Sequence, residues 1–266
     1  MARRIKPIVD SPNTKTAALN GLGIIFDRQG SPRGIALLEE AAALARELHN
    51  PARLCGMLRA LANALVTNGT QIDRGIAVYE EALVVAREHK LVRSVALIIA
   101  GLGSALTFTG QYARAQPLLQ EGLALQQELN DVAQMAWSLL FLGVLEYLQD
   151  AWLPAQRYFA QGLAIVSKVG NLNCLPDLLE GVAGIAAAQQ RPIQAARLLG
   201  AAEALRESLE LKRAPVAESY YSRILSVTRA QLSEAALREA WDAGRSLTAK
   251  QALAEAQTFA RDEAMF

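Results

Sequence analysis

A period of about forty residues constrains this chain more than any other feature. Aligning "ALNGLGIIFDRQG", "MLRALANALVTNG", "IIAGLGSALTFTG", "SLLFLGVLEYLQD" and "LLEGVAGIAAAQQ" places an apolar residue before a small one each time. The pairs are Leu22-Gly23, Leu61-Ala62, Leu102-Gly103, Leu142-Gly143 and Val182-Ala183, with the small residues 39, 41, 40 and 40 apart. Seven residues after each small residue stands a turn-compatible position: Gly30, Gly69, Gly110, Asp150 or Gln190. A second segment then recurs, as in "SPRGIALLEEAAALARELHN" and "LPAQRYFAQGLAIVSKVG". Self-similarity at this period marks a solenoid, in which each unit buries its apolar face only against its neighbours.

Both halves of the unit carry apolar or small residues three and four apart, the spacing of a helix. Ser31 before Pro32 reads as a helix start, and Pro51, Pro154 and Pro192 also fall at or near predicted starts. Pro117 sits more than a turn inside its predicted helix and is a candidate kink. The unit is thus a helical hairpin, with the small residue where its two helices press closest. The glycines of "GLGIIFDRQG" and "GLGSALTFTG" could otherwise suggest phosphate loops. Such loops lie between a strand and a helix, whereas these glycines fall inside helices, and no Gly-Lys dipeptide occurs in the chain.

Composition narrows the function classes. Hydrophobic residues make up 52% of the 266 positions and aromatics only 6%, which favours helices with small-residue packing. A net charge of +1 offers no long-range attraction to nucleic acid or anionic membrane, so direct nucleic-acid binding is not expected. Cys55 and Cys174 lack metal-ligand spacing and read as buried thiols in a reducing compartment. The N-terminus has no signal-peptide apolar run, and no stretch approaches the ~20 apolar residues of a membrane span. A soluble, cytoplasmic chain is expected.

The repeat resembles the tetratricopeptide (TPR) repeat. Leu142, Gly143, Ala155, Phe159 and Gly162 match its signature well, and Leu102, Gly103, Ala115, Leu119 and Gly122 follow it. The long units, together with "RLLGAAEALRE" and "AWDAGRSLT" near the end, resemble the C-terminal array of maltose-regulator-like, LuxR-type ATP-dependent bacterial transcriptional regulators. The resemblance implies an all-α, right-handed superhelix of five hairpins with a C-terminal helical cap. The expected organisation is a lead over 1–15, disordered or part of a preceding helix, then repeats over 16–211 and capping helices of the same domain over 212–266. Thr248 with Gln251 reads as a capping box, and Trp241 is expected to pack on the last repeat.

No catalytic, cofactor or metal site assembles from the residues. His49 and His89 fall near predicted helix C-termini, where a cation-capable residue is favoured. Glu39, Glu40, Glu80 and Glu81 fall on solvent faces, with arginines a turn or two along. What remains is the first-helix surface, which lines the concave groove of TPR arrays. At about 100° per residue, positions three before and one after each small anchor project beside the packing face. One further residue a turn out at each end completes the stripe. The candidate groove residues are Asn20, Arg28, Arg59, Asn63, Ser104, Phe108, Trp137, Leu140, Val144, Asp177 and Glu180. Arg59 and Asn63 resemble part of the carboxylate clamp of chaperone-binding TPR domains, whose other positions here are Gly101, Trp137 and Phe141.

The groove should therefore run from polar and basic, through apolar, to acidic. Its apolar middle is either a ligand floor or core covered by the tail or a second subunit, which leaves a homodimer open. Two functions fit. One is a non-enzymatic sensing module of a LuxR-type regulator that takes an effector, peptide or protein. The other is a stand-alone adaptor holding a partner's peptide or helix.

Overall fold

Helix ends punctuate the architecture. The computed structural model describes residues 11–261, in which thirteen α-helices and one 3-10 turn occur and no strand. The helices are α1 (Pro12–Arg28), α2 (Arg33–Glu47), α3 (Pro51–Thr67), α4 (Ile72–Glu88), α5 (Val92–Phe108), α6 (Tyr112–Glu128) and α7 (Val132–Leu148). They continue with α8 (Trp152–Val169), α9 (Leu175–Ala188), α10 (Pro192–Ser208), α11 (Glu218–Ala230), α12 (Glu234–Arg245) and α13 (Ala249–Arg261). The first ten are followed in turn by a residue with positive φ: Gly30, His49, Gly69, Lys90, Gly110, Asn130, Asp150, Gly170, Gln190 and Glu210. All five turn positions marked by the repeat are among them. A left-handed residue lets the chain close orphan carbonyls and reverse direction, which is how each hairpin is made.

Four local readings are refined. Helix α2 begins one residue later than the Ser31-Pro32 pair suggests, although the Ser31 hydroxyl still accepts the Arg33 N–H at 3.4 Å. Helix α6 continues through Pro117. The lead is helical from Pro12, whereas the part before Ser11 lies outside the described residues. Three of the four glutamates pair across helices: Glu81 with Arg46 at 2.7 Å, Glu40 with Lys15 at 3.0 Å, and Glu39 with Arg74.

The chain divides into two compact units, Met1–Ala105 and Leu106–Phe266. In the first, α1 packs with α2 and α3 with α4, while α2 contacts α3. Leu38 of α2 fills the space over Gly23, where a Cβ would fall 2.7 Å from its Cγ. Tyr79 of α4 lies in the same way on Gly101 of α5. Cys55 is buried, its thiol donating weakly to the Ala82 carbonyl at 3.6 Å.

In the second unit, α7 packs with α8 and α9 with α10. Phe159 of α8 is wedged between two glycines, Gly143 of α7 and Gly181 of α9, and is fully buried. Burying such a ring is worth roughly 1.5–3 kcal/mol. Cys174 is also buried.

The tail dresses this second unit on several sides. Helix α12 crosses α10 so closely that a Cβ on Gly200 or Gly244 would strike the backbone of Trp241 or Arg197. Trp241 donates from Nε1 to Glu203 at 2.8 Å, and Arg245 pairs with Glu203 and Glu207. Helix α13 lies against α8, α9 and α10, with Gln257 donating to the Leu163 carbonyl and Arg197 paired with Glu255 at 2.9 Å. The Thr248–Gln251 capping box forms: Thr248 N–H donates to Gln251 Oε1, and Gln251 N–H to Thr248 Oγ1.

Candidate functional site

The first-helix face differs between the two units. In the first unit α1 and α3 lie side by side. Arg53 Nη1 donates to the Asn13 carbonyl at 2.9 Å near one end, and Asn68 Nδ2 donates to Asp27 Oδ1 at 2.8 Å near the other. Asn20, Arg59, Asn63 and Ser104 are all half-buried. The Tyr79 hydroxyl donates to Asn63 Oδ1, which orients that amide. Burial raises the Tyr79 pKa, against the opposing pull of Arg59, so the phenol remains a donor. Asn20 Oδ1 is buried and has no hydrogen-bond partner among the described residues. The Arg28 side chain lies outside the described residues.

In the second unit the same stripe is apolar in its middle. Phe108 and Trp137 both pack on Phe141, edge-on at 6.4 Å and stacked at 6.1 Å respectively. Leu140 and Val144 are core residues. Above them lies α11: the Tyr220 ring meets Tyr147 at 5.4 Å and Phe108 at 6.4 Å, and a Cβ on Gly184 would come 3.2 Å from Ile224. The tail thus lies on part of the apolar middle of the stripe: Leu140 and Val144 are buried, whereas Phe108, Trp137 and Phe141 stay half-buried.

Its acidic end is engaged as well. Glu180, only 2% exposed, accepts from Arg206 Nε at 3.1 Å and from Arg213 Nη2 at 2.7 Å. Asp177 accepts from Arg206 Nη2 at 2.8 Å. Burial raises the Asp177 pKa, a shift the Arg206 charge opposes. Arg206 is raised, because Asp177 and Glu180 more than offset the burial that would lower it. The Arg213 guanidinium also covers the Tyr221 ring at 3.4 Å. These carboxylates are therefore internal anion partners and are not free for a cationic ligand.

Sequence reasoning did not place Arg206, Arg213, Tyr220 or Ile224 beside the stripe. One signal was present: Tyr220, Ile224 and Thr228 are four apart, a buried ridge on an otherwise polar helix. Nothing in the sequence said that this ridge faces α7 and α9.

Chemically the surface can bind, through an arginine, two amides and a hydroxyl. Burial pushes the Cys174 thiol up to about 12, which keeps it neutral. Among the described residues no group of three or more His, Cys, Asp or Glu could hold a metal ion, and no helix is long and apolar enough to cross a membrane.

Comparison with known proteins agrees with this architecture. Residues 94–168, from α5 into α8, match the tetratricopeptide-repeat family model. The crystal structure of BtubC (BKLC) from P. vanneervenii is similar at 23% identity and a TM-score of 0.62, over 79% of this chain and 87% of that one. No curated protein matches the chain. The fold is therefore tetratricopeptide-like, an array of helical hairpins of the kind that serves as a protein-interaction scaffold.

Proposed function

We propose that this chain is a binding module whose working surface is the first-helix face of residues 11–105. Asn20, Arg59, Asn63 and Ser104 supply its polar contacts. The observation that carries this reading is the contrast in occupancy. In the second unit Tyr220 and Ile224 of the chain's own tail lie on the matching face, whereas in the first unit polar groups stay half-exposed and Asn20 Oδ1 lacks a partner among the described residues. Arg59 selects an anionic or carbonyl-rich segment, and the amides fix its direction. Asp177 and Glu180, bound to Arg206 and Arg213, take no part.

Within that reading, the chain serves as the sensing or interaction domain of a cytoplasmic LuxR-type regulator. The residues that carry the resemblance support it: "RLLGAAEALRE" and "AWDAGRSLT" contribute Gly200, Trp241 and Gly244 to the α10–α12 crossing. A photo-crosslinking residue at Ser104, introduced in cells, is expected to capture one dominant protein or peptide. Arg59→Glu should abolish that capture without lowering the thermal midpoint. Capture unchanged by Arg59→Glu would overturn the assignment of this face. A natural reading frame with a Walker motif upstream and a helix-turn-helix downstream is expected for the regulator, and a frame lacking both would favour the adaptor.

A further inference from the structure

One seam between neighbouring hairpins holds polar side chains where the other seams hold apolar ones. In the repeat register a residue near the end of each second helix pairs with one in the next first helix, 12 positions on. The pairs are Ala45 with Met57, Ala86 with Ile98, Gln126 with Ser138 and Val166 with Leu178. Ala45, Ala86, Ile98, Val166 and Leu178 are at most 1% exposed. Gln126 and Ser138 are buried just as deeply, at 1% and 0%.

The polar atoms of this pair stand alone. Gln126 Nε2, Gln126 Oε1 and Ser138 Oγ are all buried and make no hydrogen bond among the described residues. A buried donor or acceptor without a partner loses its hydration and gains nothing, which disfavours a dry, closed seam. A polar residue at this repeat position is not itself the fault. Arg206, 80 residues after Gln126, finds Asp177 and Glu180 in its own hairpin. The equivalents of those acids in the hairpin of Gln126 are Leu97 and Ala100, whose side chains accept no hydrogen bond.

Packing differs in the same place. Leu178 of α9 fills the notch over Gly162 of α8, where a Cβ would fall 2.8 Å from Leu178 Cδ2. The residues in that register of the earlier seam are Gly122 and Ser138, and a serine side chain is shorter than a leucine. Helix α6 also contains Pro117, which donates no backbone hydrogen bond.

We propose that the α6–α7 seam is a joint built into the second unit: water enters it to meet Gln126 and Ser138, and α6 parts there from α7. Helices α7, α8 and α9 stay together as the block beyond the joint, because the Phe159 ring of α8 is wedged between Gly143 and Gly181. Phe108 stands just ahead of α6, and its ring meets Phe141 of α7 and Tyr220 of α11. Opening the joint therefore also loosens the aromatic face that these rings form. The joint lies apart from the polar surface assigned above, and the proposal does not depend on that assignment.

Native-state hydrogen exchange on the full chain tests this, since it reads the free energy of local opening helix by helix. In the wild type, the buried amides of α6 should be protected at least about tenfold less than those of α8. The double variant Gln126→Val, Ser138→Leu copies the next seam and should remove that difference, leaving α8 and α9 unchanged. A second double variant, Gln126→Ala with Ser138→Ala, deletes the polar atoms without adding bulk. It should slow exchange in α6 by a smaller factor, and it guards against overfilling by leucine. Equal protection of α6 and α8 in the wild type would overturn the joint, because the seam would then be sealed. Exchange in α6 that neither variant slows, or slowing shared equally by every helix of the unit, would overturn it as well.

Discussion

The first-helix stripe meets opposite fates in the two units. Over residues 11–105 it stays polar and partly open, with Asn63 held by Tyr79 and Arg59 beside it. Over residues 106–261 it is apolar and partly core: Leu140 and Val144 are buried, and Tyr220 and Ile224 of α11 settle on Tyr147, Phe108 and Gly184. Ion pairs add to the contrast. Arg46–Glu81 in the first unit stands in water, and the second unit, beside exposed pairs such as Arg238–Glu234, also shuts Glu180 and Arg206 inside. A repeat thus fixes where a side chain points, but whether that direction ends in solvent is decided by what the rest of the chain lays over it.

The severest way to break this contrast is to remove the cover. Deleting residues 212–266 should expose Leu140, Val144 and Tyr147. The second unit is then expected to lose its cooperative thermal transition and to bind a hydrophobic dye such as ANS. A truncated chain with an unchanged transition would make α11 an ornament. Next come the ion pairs. Arg206→Ala strips a partner from the buried Glu180 and should cost roughly 3–5 kcal/mol. Arg46→Ala, at an exposed pair, should cost at most about 1 kcal/mol in the same urea titration. Similar losses would show that burial does not separate the two regions. The smallest effect should not distinguish them at all. Lys90→Gly in the first unit and Gln190→Gly in the second relieve a side chain held at positive φ, and each should stabilise by about 0.5–1 kcal/mol. Unequal gains would mean that the turns are not equivalent.

The repeat made the hairpins legible. Its anchors became close approaches at Gly23 and Gly143, and its turn positions became left-handed residues from Gly30 to Gln190. Periodicity could do this because it reports local geometry, which is the same in every unit. The stripe itself was placed by rotation about each helix, and that placement could not reveal its covering. Val144 and Asn63 occupy the same repeat position, yet one is buried in the core and the other stays half-buried beside Tyr79. Glu180 looked like a ligand contact because Arg206 and Arg213 lie 26 and 33 residues further along, outside its own helix. Long-range pairing of this kind leaves no periodic trace.

The two cysteines turn the molecule into its own stopwatch. Cys55 sits in one compact unit and Cys174 in the other, and both thiols are buried with their pKa raised by that burial. An alkylating reagent can therefore reach each sulfur only when its surroundings open, and the labelling rate relative to a free thiol gives the population of open states. Each tenfold slowing corresponds to about 1.4 kcal/mol of local opening free energy. Two rates from one wild-type sample, resolved by mass spectrometry, would report the loosening of each unit separately, without a single substitution.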